Sequence, residues 1–84
     1  MTYSVQIKGS AAKTLRGIPR DDRLRLIDAI DRLASSPSAG SALKGEFAGL
    51  RRLRVGRYRV VYEVFEERLT VLAIRIAHRR DVYR

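Results

Sequence analysis

The sequence predicts an α+β fold of order β-α-α-β-β-β: a small antiparallel meander joined by an N-terminal strand, with two helices packed on one face. Three observations predict it. Tyr3-Ser4-Val5-Gln6-Ile7 alternates apolar and polar residues, as a half-buried strand does. Two stretches with helical spacing then follow, separated by Gly17-Ile18-Pro19. After Gly49 come three further alternating stretches, divided by Gly56-Arg57 and by Glu66-Glu67.

Gly9 breaks the first strand, and Ser10 is placed to cap a short helix over residues 11–16 with Gly17 as its stop. Ile18-Pro19 opens the second helix. Asp21 and Asp22 lie in its first turn, where the positive end of the helix dipole favours them. Leu24, Ile27, Ile30 and Ala34 form one stripe, with Leu26 and Leu33 beside it, and the helix ends near Ser35. Residues 35–41 are a loop by composition. Leu43-Lys44-Gly45-Glu46-Phe47 leads into a second strand over residues 49–55, and Gly56-Arg57 makes a tight hairpin turn. The third strand spans residues 58–65 and the fourth residues 68–78. Residues 1–84 form a single domain without internal repeats.

Alternation assigns the faces. Leu53 and Val55, then Tyr58, Val60, Tyr62 and Val64, then Leu72, Ile74 and Ile76 form the set that meets the helices, so Leu72→Asp is expected to abolish the fold. Arg52, Arg54, Arg59, Arg75 and Arg79 point the other way, around the small residues Val61 and Ala73. The formal net charge is +9, from 18 basic and 9 acidic residues. All the basic residues are Arg except Lys8, Lys13 and Lys44. Residues 44–84 carry eleven bases against five acids, whereas residues 1–43 carry seven against four. A one-sided cationic face of this kind calls for a polyanion. With no cysteine and a single histidine, disulfides and Cys-based metal sites are excluded, and no metal or cofactor is expected. No apolar run has the length of a signal peptide or a membrane span, so a cytoplasmic location is expected.

Three segments carry a family resemblance: Leu43-Lys44-Gly45; the stretch from Arg54-Val55-Gly56-Arg57-Tyr58-Arg59 to Val60-Val61-Tyr62-Glu63-Val64; and the ending His78-Arg79-Arg80-Asp81-Val82-Tyr83. In these the chain resembles the RelE/ParE superfamily of bacterial toxins, and the ending favours the RelE branch. The resemblance implies a toxin of a type II toxin–antitoxin system. RelE-type toxins cut mRNA in the ribosomal A site without a metal. The RNA 2′-hydroxyl attacks the adjacent phosphate and leaves a 2′,3′-cyclic phosphate. It also implies a cognate antitoxin that brings an acidic, apolar helical segment, and contact with operator DNA only through the toxin–antitoxin complex.

The same resemblance implies roles for individual residues. Arg59 would hold the scissile phosphate, Arg79 would stabilise the charge of the transition state or leaving group, and Tyr83 would stack on or activate the nucleotide. Arg52 and Arg54 stand where well-known relatives carry lysines. Arginine stays protonated in proteins, so these two could neutralise phosphate but not serve as general base. Tyr83 is then the first candidate for the base. Lys44, Arg57, Arg75 and Arg80 are further candidates for RNA contact. His78 is a secondary catalytic candidate, because its parity places it with Ile74 and Ile76 towards the core. Glu63 shares the face of Arg59, and Asp81 is placed to orient Arg79 or Arg80. Two alternatives stay open: a ParE-like inhibitor of DNA gyrase with the same fold, and a catalytically inactive RNA-binding relative.

Overall fold

Five strands form one sheet in the order β1-β5-β4-β3-β2 in the computed structural model, which describes residues 2–78. Strand β1 is Ser4–Ile7, β2 Ser41–Ala42, β3 Leu50–Val55, β4 Tyr58–Phe65 and β5 Thr70–His78; the helices are α1 (Gly9–Arg16) and α2 (Arg20–Arg32). Strand β1 lies parallel to β5 and every other neighbouring pair is antiparallel. The α+β class and the order of the predicted helices and strands therefore hold, with one additional strand. The end of the predicted loop, Ser41, forms with Ala42 a two-residue edge strand on β3.

Both helices pack on one side of the sheet. Ala11, Leu15, Ile18, Leu26 and Ile30 meet Val60, Ala73 and Ile76 in one buried cluster, and Leu33, Tyr62 and Val71 form a second beside it. Helix α2 is turned from its expected orientation. Leu26, Ile30 and Leu33 are buried, whereas Leu24 is 50% and Ile27 37% exposed. Both stripes fit a period of 3.6 residues and share Ile30, so periodicity alone does not choose between them. The path through Ile18, itself buried, and Pro19 sets the rotation.

Helix α1 begins earlier than expected. Gly9 is its first residue and Lys8 precedes it without a side-chain cap, so Ser10 lies within the first turn. Gly17 keeps a right-handed conformation at φ −86°, and its N–H donates to Thr14 O at 3.1 Å. The helix closes with a tightened turn rather than a left-handed glycine, and Ile18 then dives into the core ahead of Pro19. In the β3–β4 turn Gly56 takes φ +57° while Arg57 does not take a positive φ, the sign pattern of a type II′ hairpin. At the other end of the sheet, the Tyr3 hydroxyl donates to the Glu66 carboxylate at 2.7 Å. That hydrogen bond holds the Tyr3 hydroxyl above its usual pKa range.

The largest departure lies in β5. Val61 pairs with Arg75 but Tyr62 pairs with Ala73, so Ile74 is the extra residue of a β-bulge. One inserted residue moves every following side chain to the opposite face. Ala73, expected on the open face, is fully buried, as is Val71, which unbroken alternation with Leu72 puts on that face too, and Ile76 beyond the bulge is also buried. Leu72 and Ile74, expected in the core, are only half-buried, and Leu72 pairs with Glu63 on the face away from the helices. The sequence expectation for Leu72→Asp is corrected accordingly. Val71→Asp, which buries a carboxylate in the core, is expected to remove the cooperative urea transition. Leu72→Asp is expected to keep that transition at a lower midpoint. Circular dichroism across a urea titration checks both.

Candidate nucleic-acid interface

The strand register builds the open face row by row. Ser41 pairs with Arg52, Arg52 with Val61, and Val61 with Arg75, which makes one row across β2, β3, β4 and β5. The next row holds Arg54, Arg59 and Ala77. Where the two rows meet, Ser41, Arg52, Arg54 and Arg59 line a cleft of about 140 Å³. A cleft of that size has room for a phosphate group. Ala73, expected among the small residues of this face, is on the core side, and Ala77 takes that place.

Arg52 and Arg54 are exposed, but Arg59 is only 4% exposed. It lies on the face away from the helices, as the alternation predicts, yet it is buried. Arg54 and Arg59 are direct cross-strand partners, an arrangement that repulsion disfavours. Among the described residues the cleft has no acidic side chain in its lining. Among the described residues neither Arg52 nor Arg54 takes part in a salt bridge; the pair formed by Arg32 with Asp28 lies on the surface of α2. Glu63 lies on the same face further along β4, opposite Leu50 and Leu72. The cleft thus offers a dense set of N–H donors and positive charge, which suits bidentate contacts to an oxyanion.

The other candidate residues lie elsewhere or beyond. Arg75 is exposed on the open face, two strands from Arg52. Lys44 is exposed just after β2. Arg57, in the hairpin turn, faces the start of α2, where it lines a cleft of about 610 Å³ with Arg20, Arg25, Asp21 and Asp22. His78 pairs with Tyr58 on the helix side of the sheet, its ring set edge-on at 5.3 Å and 77°. It lines a separate cleft with Ser10, Ala11, Thr14 and Arg75, and does not line the cleft of Arg52, Arg54 and Arg59. Arg79, Arg80, Asp81 and Tyr83 lie outside the described residues. Among the described residues no three of His, Asp or Glu converge as a metal site would require, and no helix is long and apolar enough to cross a membrane.

Two residues of this region escape a reading of the sequence. Ser41 lines the cleft, but a two-residue strand is too short for alternation to reveal it. Arg51 belongs by sequence to the arginine run, yet it pairs with Tyr62 on the helix-side parity. Its Nη2 donates to Gly40 O at 2.6 Å and to Ser38 O at 3.1 Å, so it fastens a loop instead of facing the cleft.

A two-helix, mixed-sheet domain with an arginine-lined cleft on its uncovered face belongs to a recognisable class of small basic proteins. The model of the family described as ParE toxin of type II toxin–antitoxin system, parDE, matches residues 5–83. The chain belongs to that family, within the RelE/ParE superfamily, and so to the toxins of type II toxin–antitoxin systems. It is 33% identical to Toxin RelG of Mycobacterium tuberculosis over 86 residues, covering 100% of this chain and 99% of that one. It superposes on a chain of the RelBE2 toxin–antitoxin complex of the same organism with a TM-score of 0.86, at 29% identity, over 93% of this chain and 99% of that chain. The archaeal RelE–RelB complex from Pyrococcus horikoshii gives a TM-score of 0.78, also at 29% identity, over 94% and 97% of the two chains. The relatives bear RelE-type names while the family model bears the ParE name, a division within one superfamily.

The charge geometry has a measurable consequence. Arg54→Gln removes one member of the opposed Arg54–Arg59 pair at an exposed position. It is expected to stabilise the protein by up to about 1 kcal/mol at low ionic strength. The gain should be smaller but not lost in about 1 M salt, because a pair with one buried member is screened less than an exposed one. Paired urea titrations at the two salt concentrations check it.

Proposed function

We propose that this toxin is an endoribonuclease that cuts mRNA in the A site of the ribosome. The observation that carries the reading is the phosphate-sized cleft lined by Arg52, Arg54 and Arg59, in a chain 33% identical to Toxin RelG along its whole length. In this reading the 2′-oxygen of the RNA forms a bond to the adjacent phosphorus and the bond from phosphorus to the 5′-oxygen breaks. The 2′-hydroxyl proton leaves, and a proton is delivered to the departing 5′-oxygen. The products are a 2′,3′-cyclic phosphate and a 5′-hydroxyl. Negative charge gathers on the phosphoryl oxygens in the transition state, and fixed guanidinium donors stabilise that charge without reorganising. Arg59 holds the scissile phosphate, Arg52 and Arg54 neutralise it, and Arg79 stabilises the charge that develops. Tyr83 is the candidate for moving the proton.

Lys44, Arg57, Arg75 and Arg80 would then extend the contact along the RNA. The ribosome would supply what the shallow face cannot: codon nucleotides held in one orientation, so that attack is in line. The partner we propose is a cognate antitoxin, since the solved relatives named above are complexes with RelB-type chains. Against a chain of +9 charge, an acidic and apolar helical segment fits best, and operator DNA would be reached only through that complex. The site of action is the cytoplasm, where translating ribosomes are. The ParE name of the family model favours one second reading, inhibition of DNA gyrase by the same fold.

Primer extension on an mRNA translated in a purified system, and on the same mRNA without ribosomes, tests the proposal. Cuts at A-site codons only in the translated sample are expected. Equal cutting of naked RNA would overturn ribosome dependence, and no cutting together with inhibition of gyrase supercoiling would favour the second reading. Arg59→Lys keeps a charge at the buried position but loses the planar fork. It is expected to lower the cleavage rate about a hundredfold or more with the urea midpoint little changed, and Arg79→Ala to lower it by a similar factor.

A further inference from the structure

We propose that Ser41 is a substrate-binding residue of the arginine cleft. Its hydroxyl donates a hydrogen bond to a non-bridging phosphate oxygen, and Tyr62, Arg51 and Gly40 position it to do so. The proposal rests on the nuclease reading and adds a residue to it.

Ser41 lines the same cleft as Arg52, Arg54 and Arg59 and is the direct cross-strand partner of Arg52. It is exposed, and among the described residues its hydroxyl has no hydrogen-bond partner. The arginines reach the cleft on long side chains that lose rotamer freedom when they engage a ligand. Ser41 offers a short donor whose direction is set by the backbone. That is useful only if the backbone itself is fixed, and a two-residue edge strand gives little fixation of its own.

The fixation comes from the core. Tyr62, fully buried on β4, donates from its hydroxyl to Pro37 O at 2.8 Å and accepts from the Gly40 N–H at 2.9 Å. Arg51 binds the carbonyls of Ser38 and Gly40 from the neighbouring strand. Beyond Ser41 the Leu43 N–H donates to Leu50 O at 2.9 Å. Gly40 completes the clamp by close approach: a Cβ there would sit 2.3 Å from Arg52 O and 2.8 Å from the Tyr62 hydroxyl. Only glycine lets residue 41 come down onto β3 beside Arg52. The Nε of Arg51 is buried without a hydrogen-bond partner, a cost this clamp carries to keep the loop in place.

The test compares Ser41→Ala and Ser41→Thr with the wild type in the ribosome cleavage assay. The message carries a phosphorothioate at the scissile position, in each diastereomer and in neither. Ser41→Ala is expected to lower kcat/KM about tenfold to a hundredfold, the range for a hydrogen bond to a charged group, and Ser41→Thr to retain most of the activity. One diastereomer should slow the wild type but slow Ser41→Ala much less, because sulfur accepts the hydroxyl hydrogen poorly. A merely structural role would not produce that selectivity. Tyr62→Phe should also lower kcat/KM, and should add little in the Ser41→Ala background.

Wild-type rates for Ser41→Ala, or an equal loss in Ser41→Thr with no diastereomer selectivity, would overturn the proposal. If the wild type cuts nothing, the nuclease reading fails and the Ser41 contact is judged by anisotropy with a 2′-O-methyl oligonucleotide. A several-fold weaker Kd for Ser41→Ala would then support the contact. An equal Kd, or no binding by the wild type, would overturn it.

Discussion

Arg54 and Arg59 stand directly opposite each other on adjacent strands, and most of the molecule can be understood from what that repulsion requires. A like-charged cross-strand pair weakens the sheet, and the burial of Arg59 removes much of the water that would screen it. The sheet must therefore draw its cohesion from its other side. Leu26, Ile30, Leu33, Val60, Tyr62 and Val71 are all at most 1% exposed, and every one of them lies on the helix side. With both helices there, the opposite face is left to charge. On the proposed reading, an oxyanion entering the cleft would offset the charge gathered there.

The bulge at Ile74 reconciles these two duties within a single strand. Val71, Ala73 and Arg75 would share one parity in a regular strand, and Arg75 would then point at the helices. The extra residue lets Val71 and Ala73 fill the core at one end while Arg75 and Ala77 turn to the arginine rows at the other. Strand β4 shows no such conflict, because its alternation from Tyr58 to Val64 is regular throughout. It is therefore the axis of the site: Arg59 faces the cleft, Val60 fills the core, and Tyr62 reaches from the core to clamp the loop that carries Ser41.

Strands β3 and β4 were legible in the sequence because their two faces differ sharply in chemistry: Arg52, Arg54 and Arg59 against Leu53, Val55, Tyr58 and Val60. Strand β5 was not, for Val71 to Ile74 are apolar without a break, and a bulge leaves no mark in a uniform run. Helix α2 offered two stripes through Ile30, and only tertiary packing could choose between them. The cleft was visible as a concentration of charge, but its edge was not. Ser41 owes its place to Gly40, Tyr62 and Arg51, contacts that join residues 11 to 22 positions apart, and no local pattern reports such a distance.

Among the described residues the side chains that line the cleft are three arginines and a serine, and neither type readily accepts a proton near neutral pH. This composition separates two tasks that one site often combines. On the proposed reading the cleft binds a phosphate and stabilises charge as it develops, and proton transfer has to be carried by groups outside it. His78 is on the far side of the sheet, edge-on to Tyr58. A site of this kind gains its rate from orientation and electrostatics. It therefore depends on a substrate already held in an in-line conformation, as a codon is in the ribosomal A site, more than an enzyme with its own base would. On the proposed reading, dependence on the ribosome would be the counterpart of arginines that supply charge but no base.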